Sequence, residues 1–600
     1  MKYLISILIS FSFFALQAQD SRLAYKYLRD GEYEKASTIF KKLYEKDKTK
    51  NVYFSQYIKS LLELEDFNTA ESEIESELKS RPNDVTLYVT LGNLQERMMA
   101  PDKAEKSYRR AINQVQAKHN SVINLGNTFS RLAKFDLALE TYHKGASLLD
   151  NDVIFAYYLA DLYRRKGDTP KMIEFYLNYC SDNVGKVRTL KKTFQTNLQS
   201  KDDLKELKTQ LYERINQDPD NRSYPELLQW VFIHEKNYAK AFRQARSIDK
   251  KLDEKGNRLM DLGTIAFNAE EYNVAIMSYS YIVEEKGRTG SYYIEAKKAL
   301  MDSKIAQIKS RPEYQKSDFD SLRVEYKAFI DEVGVNNTTA AIVKEYCDFL
   351  ALDVNDINEA VKTLEAMVDI RSIRKNERAD AKISLADFYL IQGDIWEATL
   401  LYSQVDKEFR EEYLGEVARY KNALLFYYSG NFAWAQEIFD ILKTSTSKLI
   451  SNDAIDKSVF ITTNIGLDST DTALRLFAKS DLLAVQSRYT EAFEKLDSIK
   501  LLFPEHELED DILHREALML TAQQKYEEAV DKYLLIIEKF PEDITCDNAI
   551  FELAQLYDYV LDDQVSALPL YEKLFIDYSN STFAVEARKR YRALRGDSVQ

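Results

Sequence analysis

The sequence predicts an all-α solenoid: helical hairpins stacked one on the next, about fifteen of them, finished by a C-terminal capping helix. Three observations lead there. Ala36, Ala70, Ala104, Ala138 and Met172 each lie 34 residues after the last, and a fixed period of that kind marks helical pairs that stack. The surroundings recur with them: a bulky residue four positions later (Phe40, Ile74, Tyr108, Tyr142, Tyr176) and, in most units, a small one twelve positions earlier (Ala24, Gly92, Gly126, Ala160). Finally, 16 Gly and 9 Pro in 600 residues fall well below average usage of roughly 7% and 5%, which favours long helices and short turns.

Close approach of two antiparallel helices needs small side chains at the crossing. The pattern assigns that contact to Gly126 and Ala138, and has Tyr142 fill the groove against the next hairpin. Each buried aromatic contributes roughly 1.5–3 kcal/mol. One hairpin cannot bury its apolar face alone, so neighbours must stack on it.

Residues 1–18 read as a secretory leader. Lys2 is the positive start, Leu4 to Leu16 the apolar run, and Ala18 the small residue before a cleavage point at Gln19. The run is too short to span a bilayer. No Cys lies near that point, so a lipid anchor is not expected. Residues 19–289 then form a first array of eight hairpins with period 34. Its later units are degenerate: Leu207 and Leu211 with Pro219 closing the sixth, then Ala241 and Ala275, with Leu262, Gly263 and Tyr279 restoring the pattern.

The register breaks at 290–338, an irregular helical joint. A long helix from Ser291 to Ser310 is stopped by Arg311 and Pro312. A second runs from Phe319 to Val333, and Val335–Thr338 is a strong turn. Its Leu322 lies 47 residues after Ala275. A second array, 339–582, has the longer period of 37–38 through Ala360, Ala398 and Ala435, then Ala492, Ala529 and Ala567. Gly393-Asp394 and Gly430-Asn431 mark turns within hairpins, and Phe503-Pro504 and Phe540-Pro541 close two units. The interval of 57 from Ala435 to Ala492 predicts an extra helix near 448–462, followed by a turn at 466–469. Residues 583–600 carry a basic helix (Arg588, Lys589, Arg590, Arg592) and a tail. It reads as a polar cap for an open stack, or as a docking patch for an acidic surface.

The formal charge of −15 argues against a nucleic-acid footprint and favours solubility or basic partners. Removing Lys2 with the leader leaves −16. After the leader no apolar run reaches spanning length, so direct membrane insertion is not expected. Cys180, Cys347 and Cys546 are widely separated and are expected to be packed in helices and unpaired.

Catalytic chemistry finds little support, and no cofactor or metal is expected. His234-Glu235 and His506-Glu507 lack the second His of a zinc-protease helix, since positions 238 and 510 are Tyr238 and Asp510. There is no phosphate-cradling Gly loop and no Gly-x-Ser-x-Gly elbow. His506, Glu507, Glu509, Asp510, Asp511 and His514 form the densest polar constellation. Those residue types suit a metal, and equally a helix start, where acids complement the dipole.

The 34-residue units resemble the tetratricopeptide repeat, and the run from Gly31 to Ala36 matches that family's turn into its second helix. The resemblance implies a right-handed superhelix whose first helices line a groove for proteins or peptides. In that groove one slot holds Arg29, Glu63, Arg97, Arg131 and Arg165; another holds Asn93 and Asn127, with Asn124 beside them. The binding candidates are therefore Asn93, Arg97, Asn124, Asn127, Arg131 and Arg165. The bland alternative is that average repeats favour Asn and basic residues at these slots anyway. The family's carboxylate clamp needs Lys where this chain has Val89. From about Glu416 to Asp597 the longer, Phe-Pro-closed hairpins are similar to those of periplasmic assembly and scaffold proteins, including the lipoprotein of the outer-membrane barrel-assembly machine. The resulting expectation is a non-catalytic scaffold or adaptor, exported to the periplasm and partnered with envelope components. It would serve outer-membrane assembly, secretion or motility, with attachment to the outer membrane only through a partner. The alternatives are a periplasmic chaperone for unfolded clients and, further off, an enzyme.

Overall fold

The computed structural model describes residues 20–181, 183–311, 314–445, 447–465, 471–504 and 506–597. The expected leader, Pro312 and the turn at 466–469 lie outside the described residues. The chain divides into two compact units, Met1–Glu254 and Lys255–Gln600. Among the described residues the regular elements are all helical.

The first unit holds seven hairpins. They are α1 (20–29) with α2 (Tyr33–Lys46), α3 (Asn51–Glu63) with α4 (Phe67–Ser80), α5 (Val85–Arg97) with α6 (Pro101–Asn113) and α7 (His119–Arg131) with α8 (Phe135–Leu148). Then follow α9 (Ala156–Lys166) with α10 (Thr169–Cys180), α11 (Val187–Asn197) with α12 (Lys201–Gln217) and α13 (Ser223–His234) with α14 (Tyr238–Leu252). The second unit holds eight. These are α15 (Asn257–Asn268) with α16 (Tyr272–Tyr281), α17 (Tyr293–Lys309) with α18 (Asp320–Val333), α19 (Ala340–Phe349) with α20 (Ile357–Val368), α21 (Lys375–Gln392) with α22 (Ile395–Glu408) and α23 (Tyr413–Tyr428) with α24 (Phe432–Leu442). The unpaired α25 (Lys448–Asn464) precedes α26 (Thr472–Val485) with α27 (Tyr489–Leu502), α28 (Glu509–Ala522) with α29 (Tyr526–Lys539) and α30 (Ile544–Gln555) with α31 (Gln564–Asp577). Last comes α32 (Ala584–Arg595). The division between units follows the seventh hairpin, upstream of the joint expected at 290–338, and that stretch contains the hairpin α17/α18.

Local chemistry starts and turns these helices. Asp66, Asp84, Asp168, Asn237, Asp356 and Asp563 each accept a backbone N–H of the first turn, satisfying donors a helix start leaves open. The turn within a hairpin repeats a left-handed residue every 34 positions: Gly31, Glu65, Met99, Ala133 and Gly167 all have φ between 57° and 79°.

The repeated small residues Ala36, Ala70, Ala104, Ala138, Ala241, Ala275, Ala360, Ala398, Ala435, Ala492, Ala529 and Ala567 are all buried. The glycines lie against an aromatic ring of their own hairpin. A Cβ on Gly126 would lie 2.5 Å from the Tyr142 ring; on Gly92, 2.4 Å from Tyr108; on Gly263, 2.5 Å from Tyr279. Each glycine thus makes room for the aromatic four residues beyond the alanine in its own hairpin. The same ring then reaches the next hairpin: Tyr142 lies 5.4 Å from Tyr158 and 5.6 Å from Phe155, and Tyr108 lies 5.6 Å from Phe129.

In the second unit the alternation of paired helices is interrupted at α25. This helix buries Ile450, Ala454 and Ile461 against α23 and α24, as the first helix of another hairpin would. Yet α26 pairs with α27 and also returns to earlier helices. Its Leu482 joins the core of α21, α22 and α23, and Gln486 Nε2 donates to the Leu390 carbonyl at 3.1 Å.

Candidate functional site

The groove candidates sit on α5, α7 and α9. Asn93 is half-buried, and Arg97, Asn124, Asn127, Arg131 and Arg165 are exposed. The arginines are engaged within the chain. Arg97 donates through Nη1 to the Leu62 carbonyl at 3.1 Å and pairs through Nη2 with Glu63 at 3.0 Å. The physical reason is the repeat itself: Glu63 occupies the same slot one hairpin earlier, so opposite charges stack. Arg165 pairs with Asp161 at 2.9 Å, and Arg131 donates to the Thr128 hydroxyl at 3.0 Å. The amides keep more capacity. Asn127 Oδ1 accepts from the Tyr142 hydroxyl at 3.0 Å, which leaves its NH2 to donate. Among the described residues the side chains of Asn93 and Asn124 make no hydrogen bond.

The acid-rich constellation of the sequence is dispersed by the fold. His514 Nε2 lies 2.8 Å from Glu552, His506 Nδ1 accepts the Leu508 N–H at 3.1 Å, and Asp510 accepts from the Thr545 hydroxyl. Asp511 is pushed up to about 8 by burial first and by neighbouring Asp510 second. Among the described residues no three His, Cys, Asp or Glu are grouped to hold a metal ion. Cys180, Cys347 and Cys546 are buried and free of disulfides, and burial pushes the Cys347 and Cys546 thiols up.

Among the buried carboxylates that escaped the sequence reading, Asp481, Glu516 and Asp558 each gather charged partners. Asp481, 2% exposed, accepts from the Tyr427 hydroxyl at 3.0 Å and meets Arg515 Nε at 2.7 Å and Lys457 Nζ at 3.6 Å. Glu516 lies 2.5 Å from Lys500 and 2.8 Å from Lys532. Asp558 accepts from Tyr571 at 3.1 Å and is forked by Arg590 of α32 at 2.5 and 2.8 Å. Each joins helices from different hairpins. Their trace in the sequence is an acid set in an apolar face, as Asp481 is before Leu482 and Leu483; the partners lie too far along the chain to be read from spacing. Among the described residues no helix is long and apolar enough to cross a membrane.

No known protein family matches the chain, and no curated protein does. Solved structures share its helical repeats at low identity. One is a tetratricopeptide repeat protein from Parabacteroides merdae, with 11% identity over 50% of this chain and 98% of that one and a TM-score of 0.28. A second is Naa15/Naa10 bound to HypK-THB, with 13% identity over 96% and 94% and a TM-score of 0.26. A third is the APC/C hetero-tetramer Cut9–Hcn1, with 13% identity over 96% of both chains and a TM-score of 0.22. Likenesses at these scores carry no role across to this chain, whose hairpin architecture rests on its own helices.

Proposed function

We propose that this chain is a non-catalytic protein-interaction scaffold that holds a peptide or protein segment against the first helices of its third and fourth hairpins. The observation carrying this reading is the set of side-chain amides on α5 and α7 with unused hydrogen-bonding capacity, Asn93, Asn124 and the NH2 of Asn127. An amide both donates and accepts, so such a row matches the unpaired backbone groups of an extended segment. Arg97 and Arg131 frame the row, and their intramolecular partners hold them in place. The leader-like pattern at 1–18 supports work in the periplasm, with envelope components as partners and outer-membrane assembly, secretion or motility as the setting. Crosslinking in intact cells followed by mass spectrometry tests this. Asn93→Ala with Asn124→Ala should remove the main crosslinked partner while leaving the melting temperature nearly unchanged. Undiminished capture would sink the groove, and crosslinks confined to cytoplasmic proteins would sink the compartment.

A second reading, a holdase for unfolded clients, is favoured by Trp396 and Trp434, which are 78% and 57% exposed. Light scattering with a reduced client separates the two, since a scaffold leaves aggregation unaltered.

A further inference from the structure

We propose that in the second unit the first-helix face from α17 to α25 is a receptor for a lysine- and arginine-rich segment of a partner protein. This rests on the scaffold reading and gives its partner a chemistry.

Charge is divided unevenly along the chain. Residues 1–254 carry 41 Lys and Arg against 36 Asp and Glu, whereas 255–600 carry 41 against 61. Part of that excess is organised into a contiguous ladder across successive first helices. Lys298 Nζ of α17 lies 2.9 Å from Asp302 on its own helix and 2.9 Å from Glu345 of α19. Lys344 of α19 lies 3.1 Å from Asp348 and 3.6 Å from Asp380 of α21. Lys421 of α23 lies 2.8 Å from Asp387 of α21. On α25, Asp453 and Asp456 make no ion pair or hydrogen bond among the described residues. Five carboxylates therefore share three ammonium groups, and two more on α25 are paired with none.

The ladder is also open on its acidic side. The side chains of Asp302, Glu345 and Asp380 are 37%, 40% and 46% exposed, against 33% and 24% for Lys298 and Lys344 beneath them. A separate feature points to a missing cation. The Tyr326 hydroxyl, in a residue 1% exposed, has no hydrogen-bond partner, and the largest charges acting on it are the Asp302 and Glu345 carboxylates. An unpaired polar group in such a place is costly. The hydroxyl itself is buried, and an ammonium or guanidinium seated among the Asp302 and Glu345 carboxylates would act on it by offsetting their charge. Burial also holds Glu345, Asp348, Asp453 and Asp456 above the usual carboxylate range, with Asp302 adding to the first and Asp456 to the third; an added cation relieves this. Five first helices spaced ~10 Å apart span about 40 Å, which an extended segment of about twelve residues covers.

The test is titration of the purified full chain with a fluorescein-labelled peptide of that length alternating Lys and Ala, read by anisotropy beside its Glu/Ala counterpart. Saturable binding of one Lys/Ala peptide per chain is expected, lost at about 1 M salt, where the Debye length is ~3 Å. Asp348→Asn with Asp380→Asn should weaken it about tenfold. Glu411→Gln with Glu527→Gln removes the same charge from exposed positions off the ladder and should change affinity less than about twofold. Equal losses from the two charge pairs, or equal binding of the Glu/Ala peptide, would overturn the proposal. Because this experiment uses no cellular partner, it can fail while crosslinking to the first unit succeeds, and the reverse.

Discussion

At Gly126 a hydrogen stands where a methyl would strike the Tyr142 ring at 2.5 Å. Seven residues on, Ala133 holds φ at 57°, a left-handed conformation that costs an L residue roughly 1–2 kcal/mol. In the equivalent turns Gly31 and Gly167 avoid that cost. The two positions in one hairpin therefore predict opposite outcomes. Gly126→Ala should destabilise by about 1–3 kcal/mol through overpacking, and Ala133→Gly should stabilise by about 1 kcal/mol. Hydrogen exchange on α7 and α8 measures both; two changes of the same sign would contradict the geometry. At this scale the sequence was half legible. Twelve-residue spacing identified Gly126 as a contact, but that the Tyr142 ring of its own hairpin presses on it depended on how the two helices were rotated about their axes.

Among elements, α25 decides the course of the second unit. It fills the place of a first helix against α23 and α24, while α26 returns to α21 and α23. The join is polar as well as apolar, with Asp481 of α26 drawing Tyr427 of α23, Lys457 of α25 and Arg515 of α28 to one point. Removing a carboxylate from such a cluster leaves buried positive charge uncompensated. Asp481→Ala should cost about 3 kcal/mol, the low end for a broken buried pair because Arg515 keeps some contact with water. The loss should register as faster amide exchange in α25 and α26, with α5 to α8 unchanged. Uniform exchange across the chain would mean that the network does not hold α25 and α26 in place.

For the molecule as a whole, the stack needs its open faces covered. In the second unit α32 lays Ala587 over the core formed by Cys546, Ile550, Ala554, Ala567, Tyr571 and Leu574, and Arg590 neutralises Asp558. The basic helix is thus tied down by a buried acid. Its Arg588 stacks on the Phe575 ring at 5.4 Å, while Lys589 and Arg592 are exposed. A chain shortened to end at residue 582 exposes that core. It should self-associate on size exclusion, as solenoids without a polar end do; a monodisperse truncation would show that α32 is dispensable.

The amino-acid sequence by itself determined the hairpins. A helical pair must bring the same contacts together every 34 residues or so, and that local, periodic requirement is written repeatedly from Ala36 to Ala567. It also marked where the rhythm fails, at the interval that became α25. Tertiary structure alone decided which charged groups are spent and which remain. Arg97 is neutralised by Glu63 a full repeat away, Asp481 gathers partners from three other helices, and acids of α17, α19 and α21 are bridged by Lys298, Lys344 and Lys421. Such contacts depend on the angle between successive hairpins, which no single repeat encodes.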